Sequence, residues 1–311
     1  MELKNELIWS GSRLSTYSEC AKKYYYNYYG SWNGWKFDAT DDQKELYLLK
    51  NLKIIQIITG SIVHEVVDTY LKAIKNNLSK PDVISLFEKK FNDFLQISIT
   101  KAYRQRPKLG GIIEHEYNIE LSQEIINDEI EKGKNCLKNF LKSEQLKNLL
   151  HVPSENWMFS PGFCKCDVNG FKAFTMFDFA YEEDGKIIII DFKTGKQESF
   201  KESSQAQTYA YYFWKKYDKK PEDIVFLFWH LPSDEIIEKK FTLKTFEEFE
   251  DMVKKDMLLL QSKVDDLEEN TTSEKNFEQT QEIVYCRYCQ FRRYCYKTNK
   301  EVKNASSLHS I

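Results

Sequence analysis

Four consecutive isoleucines, Ile187–Ile190, followed at once by Asp191, Phe192 and Lys193, constrain the fold of this chain more than any other segment. An unbroken run of β-branched residues is typical of a strand that is buried on both faces. Such a strand needs neighbouring strands and covering helices, so the run predicts the centre of an α/β sheet. Side chains two positions apart on a strand share a face, so we expect Asp191 and Lys193 to project together while Phe192 enters the core.

The length and composition narrow the class of protein. A chain of 311 residues can bury a large core without disulfide bonds. No apolar run is long enough to cross a membrane, and Met1–Arg13 lacks the apolar segment of a secretory signal, so we expect a cytoplasmic protein. The net charge of −3 neither requires nor excludes a nucleic-acid partner, because binding depends on local charge.

Hydrophobic periodicity predicts a helical first half and a second half that contains the strands, which is an α/β fold with a small mixed β-sheet flanked by helices. The turn at Asn169-Gly170 predicts a hairpin. The segment 265–282 is expected to be a loop, and the tail after residue 297 is expected to be frayed. Predicted helices cover 12–29, 42–58, 60–78, 82–97, 122–150, 201–217 and 245–264. Predicted strands cover 155–165, 171–181, 187–193, 223–230 and 234–241.

A second carboxylate is expected next to Asp191. Asp178 lies on the preceding predicted strand, and the short turn at 182–185 brings it opposite Asp191. Two carboxylates this close repel each other unless a cation lies between them, and such a pocket suits Mg²⁺ or Mn²⁺. The metal would polarise a phosphoryl oxygen and activate water, which Lys193 would orient. The alternative is a surface hairpin with a structural ion pair between Asp191 and Lys193.

Three other polar residues are candidates for the same site. His64 lies between apolar positions of the predicted helix 60–78, either as a hydrogen-bonded core residue or as a third metal ligand. Gln205 and Tyr209 are one helical turn apart on the helix after the isoleucine strand, so they share a face. They form either an exposed amphipathic surface or a polar pair directed at the metal or a phosphate.

Cysteines are concentrated at the two ends of the chain. Cys286, Cys289 and Cys295 form a Cys-x₂-Cys-x₅-Cys pattern, and Cys20 is the best candidate for a fourth ligand. In a reducing compartment such a set favours metal binding over disulfide bonds. The spacing suits a tetrahedral zinc or a four-iron cluster and does not distinguish them. The remaining cysteines are expected to be packing residues: Cys136, Cys164 and Cys166.

Basic residues are interleaved with aromatic residues near these cysteines and near residue 104, as in grooves that bind single-stranded nucleic acid. The alternative for each cluster is an ordinary solvated charged face. The basic residues concerned are Lys22, Lys23, Lys101, Arg104, Arg106, Lys108, Arg287, Arg292, Arg293, Lys297, Lys300 and Lys303.

Five motifs in this order resemble the RecB-like branch of the PD-(D/E)XK nuclease superfamily in its iron–sulfur form, which includes the AddB nuclease domain and the nuclease of CRISPR spacer acquisition. The resemblance extends from Ser12 to Cys295. The matching segments are Gly60-Ser-Ile-Val-His64-Glu, Asp178, Asp191-Phe192-Lys193-Thr194-Gly195, Gln205-Ala-Gln-Thr-Tyr209 and the four cysteines at 20, 286, 289 and 295.

The resemblance implies a metal-dependent DNA exonuclease that acts on single-stranded ends, with a restriction-endonuclease-like core in one domain over 1–311. Its expected parts are a helical part 12–150, a catalytic sheet and helix 151–245, and a cysteine-bearing part 246–297. The implied Mg²⁺ or Mn²⁺ ligands are His64, Asp178, Asp191 and the Phe192 carbonyl. The implied catalytic set adds Lys193, Gln205 and Tyr209, and a 4Fe–4S cluster on the four cysteines joins the N- and C-terminal regions.

Such domains serve DNA repair, CRISPR adaptation and anti-phage defence. The sequence has no phosphate-binding loop of the G-x-x-x-x-G-K-[ST] type, so any helicase partner is expected to be a separate protein. The alternative function is a non-catalytic iron–sulfur or zinc module that binds DNA ends beside a helicase or nuclease. A zinc-binding regulatory protein is a third possibility, but it leaves the Asp178, Asp191 and Lys193 arrangement unexplained.

Overall fold

The computed structural model describes residues 3–196 and 204–298, and side chains as far as 295. Within these residues the protein is a mixed α/β structure built around a small mixed sheet. Three kinds of prediction lie outside the described residues: the beginning of the helix over 201–217, the frayed tail beyond residue 298, and the basic side chains at 297, 300 and 303. No helix in the described part of the chain has the length and apolar character needed to cross a membrane.

The helices of the described residues fall mainly in the first half of the chain. They are α1 Gly11–Glu19, α2 Ala21–Tyr25, α3 Asp41–Leu49, α4 Ile55–Lys75, α5 Val83–Ile99, α6 Ile113–Glu116, α7 Gln123–Lys142, α8 Glu144–His151, α9 Gln205–Tyr217, α10 Leu243–Gln261 and α11 Arg292–Thr298. A π-helix, Tyr26–Gly30, follows α2 directly.

Three sheets are present in the described residues. The strands are β1 Leu52–Lys53, β2 Gly111–Ile112, β3 Trp157–Phe159, β4 Cys164–Val168, β5 Phe171–Thr175, β6 Phe179–Glu183, β7 Lys186–Lys193, β8 Ile224–His230 and β9 Glu235–Lys240. The main sheet has the order β3-β6-β7-β8-β9, and β7 and β8 are its parallel pair. The strands β4 and β5 form a separate antiparallel hairpin, and β1 pairs with β2.

The isoleucine strand lies at the centre of the main sheet, as the sequence predicts. Each of the four isoleucines is at most 9% exposed. Ile188 and Ile190 pack on one face in a core with α4, α5 and α7, whereas Ile187 and Ile189 pack on the other face with α9 and α10. The strand therefore contributes to two separate cores, which is why all four positions are apolar.

Three predicted helices are wrong as continuous elements. The prediction 12–29 fails at Cys20, whose extended backbone ends α1 and begins α2. The prediction 42–58 fails because α3 ends at Leu49 and a short strand follows before α4, which also begins earlier than residue 60. The prediction 122–150 fails at Ser143, whose extended backbone separates α7 from α8 and whose side chain caps α8.

Two predicted strands are also wrong in extent. The predictions 155–165 and 171–181 each describe one strand, but the structure divides each between the main sheet and the β4–β5 hairpin. The turn at Asn169-Gly170 is confirmed, and it joins β4 to β5. Between β5 and β6 the alternation of buried and less buried side chains continues, so the pattern alone does not reveal that the chain changes sheets. Between β3 and β4 the pair Pro161-Gly162 interrupts the alternation, and this pair is the sequence signal for the break.

Candidate active site and cysteine site

Two carboxylates meet at the end of the central strand, as the sequence predicts. Asp178 immediately precedes β6, and Phe179 pairs with Ile190, so Asp178 is next to Asp191 across the sheet. Asp178 Oδ2 accepts a hydrogen bond of 2.9 Å from the backbone N–H of Phe192. The side chain of Asp191 is only 2% exposed, whereas that of Asp178 is 26% exposed. One carboxylate is therefore buried and the other reaches solvent.

A chain of polar contacts links Asp191 to the following helix. Lys193 Nζ lies 2.6 Å from Asp191 Oδ2 and donates a hydrogen bond of 2.6 Å to Gln205 Oε1. Gln205 Nε2 in turn donates to the Tyr209 hydroxyl at 2.6 Å. Gln205 and Tyr209 thus use their shared helical face to hold the lysine, and Phe192 is buried in the core as predicted. The ion pair of the alternative interpretation is present, but it does not lie on a solvated surface, because the Lys193 side chain is only 19% exposed.

His64 completes this group from α4. Its Nδ1 lies 3.1 Å from Asp178 Oδ2, and its side chain is 32% exposed, so it is not an enclosed core histidine. Gly60, one turn earlier, allows α4 to approach the sheet this closely: a Cβ there would lie 2.6 Å from Thr194 Oγ1. We call the group the acidic site. It consists of His64, Asp178, Asp191, Lys193, Gln205 and Tyr209.

The two carboxylates have opposite electrostatic environments. Burial, together with the neighbouring Asp178 charge, raises the pKa of Asp191 to about 6. Burial would also raise the pKa of Asp178, but His64, the Phe192 N–H and Lys193 lower it below its usual range. Desolvation disfavours the charged form of His64, yet Asp178 raises the pKa of this histidine. Two close carboxylates with separated pKa values are typical of a catalytic site.

The donors of the acidic site fit a divalent cation in kind, since carboxylate oxygens are the ligands that Mg²⁺ and Mn²⁺ prefer. The buried Asp191 Oδ2 makes no hydrogen bond of acceptable geometry, although the Lys193 ammonium is close to it. Among the described residues, however, no group of three or more His, Cys, Asp or Glu side chains is arranged so that it could hold a metal ion. In this structure Lys193 and His64 are the charged neighbours of the two carboxylates, at 2.6 Å from Asp191 Oδ2 and 3.1 Å from Asp178 Oδ2.

The four predicted cysteines also come together. Cys20, Cys286, Cys289 and Cys295 line one small cavity of about 30 Å³. All seven cysteines of the chain are described, and none forms a disulfide bond. Burial raises the pKa values of Cys289 and Cys295 to about 11, and the other thiols add to the shift. We call these four residues the cysteine site.

The cysteine site does not form a preassembled metal centre in this structure. Among the described residues, these four thiols are not arranged closely enough to form a group that could hold a metal ion. Cys20 Sγ accepts a hydrogen bond of 3.4 Å from the N–H of Lys23, and Cys295 Sγ lies 3.3 Å from Gln279 Oε1. The prediction that the other cysteines are packing residues is confirmed for Cys136 and Cys164, which are 1% and 4% exposed, and Cys166 is partly buried against the same core as Cys164.

Several of the predicted basic residues are engaged within the protein. Glu116, only 1% exposed, contacts Arg104 and lies 3.0 Å from Arg293 Nη2. It also accepts a hydrogen bond of 2.8 Å from the Tyr103 hydroxyl. Lys22 pairs with Glu274. These contacts attach the C-terminal part of the chain to its first half. Some of the predicted basic residues therefore form ion pairs within the protein.

His230, which was not predicted from the sequence, lies beside the acidic site on the next strand. His230 pairs with Lys193 in the register of β7 and β8. Its Nε2 lies 2.8 Å from the Gly195 carbonyl and its Nδ1 lies 2.7 Å from Ser233 Oγ. A histidine at the carboxyl end of a strand parallel to the isoleucine strand is the signal that could have indicated it.

Comparison with known proteins agrees with this arrangement. The family model described as the PD-(D/E)XK nuclease superfamily matches residues 8–296, which include both sites. The chain belongs to the PD-(D/E)XK nuclease superfamily. No curated protein matches the chain. The chain is similar to the crystal structure of SSO0001 at 15% identity over 58% of this chain and 77% of that chain, with a TM-score of 0.29.

Membership of the PD-(D/E)XK superfamily implies a nuclease-type function with DNA as the substrate. Nucleases of the PD-(D/E)XK type commonly use divalent metals such as Mg²⁺ or Mn²⁺. The small mixed sheet flanked by helices is consistent with a restriction-endonuclease-like fold. The superfamily that the sequence motifs resemble is therefore established for this chain.

Proposed function

We propose that the protein is a Mg²⁺- or Mn²⁺-dependent deoxyribonuclease that hydrolyses phosphodiester bonds at single-stranded ends, as an exonuclease of the RecB-like branch. One observation carries the proposal: a largely buried lysine is held between Asp191 and the Gln205–Tyr209 pair, beside a second carboxylate. A buried lysine and two carboxylates at a strand end are costly unless their charges are used. We propose that the protein acts in the cytoplasm.

The side chains of the acidic site divide the chemical work. The residues that would hold the cation are His64, Asp178, Asp191 and the Phe192 carbonyl. The cation would polarise a phosphoryl oxygen and make a bound water more acidic. Lys193 would orient the attacking water and offset the charge that develops on the phosphate. Gln205 would keep the ammonium of Lys193 in place by accepting its hydrogen bond, and Tyr209 would hold Gln205 by accepting a hydrogen bond from its amide.

We propose that the cysteine site binds a 4Fe–4S cluster with a structural role. Four thiols from the two ends of the described chain line one cavity, and the resemblance to iron–sulfur nucleases favours iron over zinc. A bound metal would deprotonate these thiols despite their raised pKa values. Elemental analysis of protein purified without oxygen tests this. One zinc and no iron per chain would replace the cluster by a zinc site.

Partners follow from the nuclease proposal. The substrate is DNA that is single-stranded or has free ends, and a separate helicase or a CRISPR or defence protein would supply such ends. The competing function is a non-catalytic module that binds DNA ends. The two functions differ in one respect, since only the nuclease consumes DNA when a divalent metal is added.

The test is digestion of an end-labelled single strand with Mg²⁺, with Mn²⁺ and with EDTA. We expect cleavage with either metal and none with EDTA. Asp191→Asn should abolish cleavage, because it removes the buried charge without changing shape. Glu183→Gln is the matched control, since this exposed residue ends β6 on the same hairpin. Wild-type cleavage by the Asp191 variant would contradict the assignment, and metal-independent binding without cleavage would favour the end-binding module.

A further inference from the structure

A groove of about 1030 Å³ opens beside the acidic site, and the chemistry proposed above does not use it. Gln205 and Tyr209 form part of its lining, so the groove and the acidic site share a wall. The rest of the lining comes from the beginning of α1, from the β4–β5 hairpin with its flanking residues, and from α10. A groove continuous with a site that cleaves phosphodiesters is suited to hold the substrate beyond the scissile bond. We call it the strand groove.

Two phenylalanines form an exposed aromatic platform in the strand groove. The rings of Phe163 and Phe174 stack with centroids 5.8 Å apart and planes 25° apart. Phe163 is 72% exposed, although a ring of this size is usually buried. Lys165 Nζ lies 5.2 Å from the centre of the Phe174 ring. The cation thus lies over Phe174, the ring against which the exposed Phe163 stacks, and such a pair of rings with a nearby cation suits a nucleobase with its phosphate.

A second, independent feature of the groove points to a ligand. Thr175 is 5% exposed, and its buried Oγ1 has no hydrogen-bond partner. An unsatisfied buried hydroxyl is costly, and a ligand bound in the groove that Thr175 lines would supply the missing partner. It lies directly after Phe174 on β5, at the same part of the hairpin.

The polar part of the lining is rich in hydroxyl groups. Four serines from the beginning of the chain take part: Ser10, Ser12, Ser15 and Ser18. Serine hydroxyls donate hydrogen bonds to phosphate oxygens without reading base sequence. One carboxylate, Asp256, belongs to the lining, and its Oδ2 accepts a hydrogen bond of 3.0 Å from the Trp9 indole N–H. The groove thus combines rings for bases with hydroxyls for the backbone.

We propose that the strand groove binds a single nucleic-acid strand and that Phe163 stacks on one of its bases. A side-chain ring stacks on a base only if that base is not already stacked in a duplex, so the platform selects single strands. Cleavage of the bound strand rests on the proposed nuclease function. Binding of the strand in the groove does not depend on that function.

The test is fluorescence anisotropy in EDTA, where binding is measured without cleavage. The probes are short fluorescein-labelled oligo-dT, oligo-rU and a blunt DNA duplex. Phe163→Ala should weaken oligo-dT binding about tenfold, as expected for loss of one stacked base, and Phe163→Trp should retain it. Phe37→Ala is the matched control, because Phe37 is 98% exposed and is outside the groove lining. A strand containing 5-iodouracil should photo-crosslink to the peptide that contains Phe163.

The outcomes separate this proposal from the nuclease assignment. Equal Kd values for Phe163→Ala and the wild type, no binding of strands by the wild type, or equally tight binding of the duplex would each overturn the groove proposal. Phe163-dependent binding of oligo-rU alone supports the groove and identifies the strand as RNA. Phe163-dependent binding by a protein that cleaves nothing with Mg²⁺ or Mn²⁺ supports the groove and contradicts the nuclease.

Discussion

The acidic site and the cysteine site are both assembled from distant parts of the chain, but they are held together differently. In the acidic site, strand register places Asp178 beside Asp191, and hydrogen bonds connect Lys193 to α9. In the cysteine site no thiol lies on a strand of the main sheet. Its two halves are joined by aromatic packing, such as Tyr26 on Phe291 with ring centres 5.5 Å apart, and the Lys22–Glu274 ion pair connects α2 to the segment before the three C-terminal cysteines.

This difference predicts which site depends on its ligands for stability. The acidic site is supported by two hydrophobic cores that exist without it, so changes there should affect rate more than folding. The cysteine site lies at a small third core whose members come from separate helices. Closing a long loop of chain has an entropic cost, so a metal at this site would add stability that packing alone does not supply.

The largest expected effect is from Cys289→Ser. If the four thiols bind a structural metal, loss of one ligand should lower the free energy of unfolding by about 4 kcal/mol or more, since loss of a metal is among the most damaging changes. Denaturant unfolding measures it, with iron and zinc content determined on the same samples. Cys166→Ser is the control, because Cys166 is on β4, outside the cavity. Equal losses in the two variants would contradict a special role for the cysteine site.

The next effect is from Lys193→Ala. Loss of a group that stabilises charge in the transition state should reduce the cleavage rate by about 10²-fold or more, while the thermal midpoint stays near that of the wild type. Single-turnover cleavage with saturating Mn²⁺ is the measurement. Lys219→Ala provides a control, since Lys219 pairs with Glu182 at the other end of the sheet. A variant that has a lower thermal midpoint but keeps the wild-type cleavage rate while folded would show that Lys193 is structural.

Glu116→Gln should have a smaller effect on stability. Removing a buried charge that three partners hold leaves Arg104 and Arg293 without their carboxylate, and we expect a loss of about 2 kcal/mol. Chemical denaturation at neutral pH measures the difference. Glu45→Gln is the control, because its contact with Arg104 is longer, at 3.6 Å, and more exposed. A loss no greater than that of the control would remove Glu116 from the link between the chain ends.

The pH dependence of stability should reveal the same residue. Burial alone would raise the pKa of Glu116, but Arg104, Tyr103 and Arg293 lower it. Its folded-state pKa is below the unfolded value of about 4.3, so its contribution is present above that pH and is lost as the pH falls toward the folded-state pKa. Wild-type and Glu116→Gln unfolding curves should converge in acid. If the difference in unfolding free energy between the wild type and Glu116→Gln increased in acid, the pKa of Glu116 would be raised on folding and not lowered.

The smallest expected effect is from Tyr209→Phe. This change removes the hydroxyl that accepts a hydrogen bond from Gln205, so we expect the rate to fall about tenfold through less constrained positioning of Lys193. Tyr212→Phe is the control on the same helix, since its hydroxyl contacts Lys216 outside the acidic site. The measurement is the ratio of the cleavage rates of the Tyr209→Phe and Tyr212→Phe variants. Equal rates would show that the Tyr209 hydroxyl has no role in catalysis.

The sequence predicted the parts of the acidic site that depend on local geometry. The register of Asp178 against Asp191 followed from a short turn, and the shared face of Gln205 and Tyr209 followed from helical spacing. The sequence did not indicate the strand groove. Phe163 and Phe174 belong to a hairpin that leaves the main sheet, and side-chain alternation is the same whether or not a chain changes sheets.

The sequence by itself determined the central strand and the polar residues at its end, because an unbroken run of isoleucines has few stable environments other than the middle of a sheet. Only the tertiary structure decided that His64 reaches Asp178, that Cys20 meets Cys286, and that an aromatic groove adjoins Gln205. Each of these contacts joins residues far apart in the chain. Their formation depends on how helices and sheets pack, which no local pattern specifies.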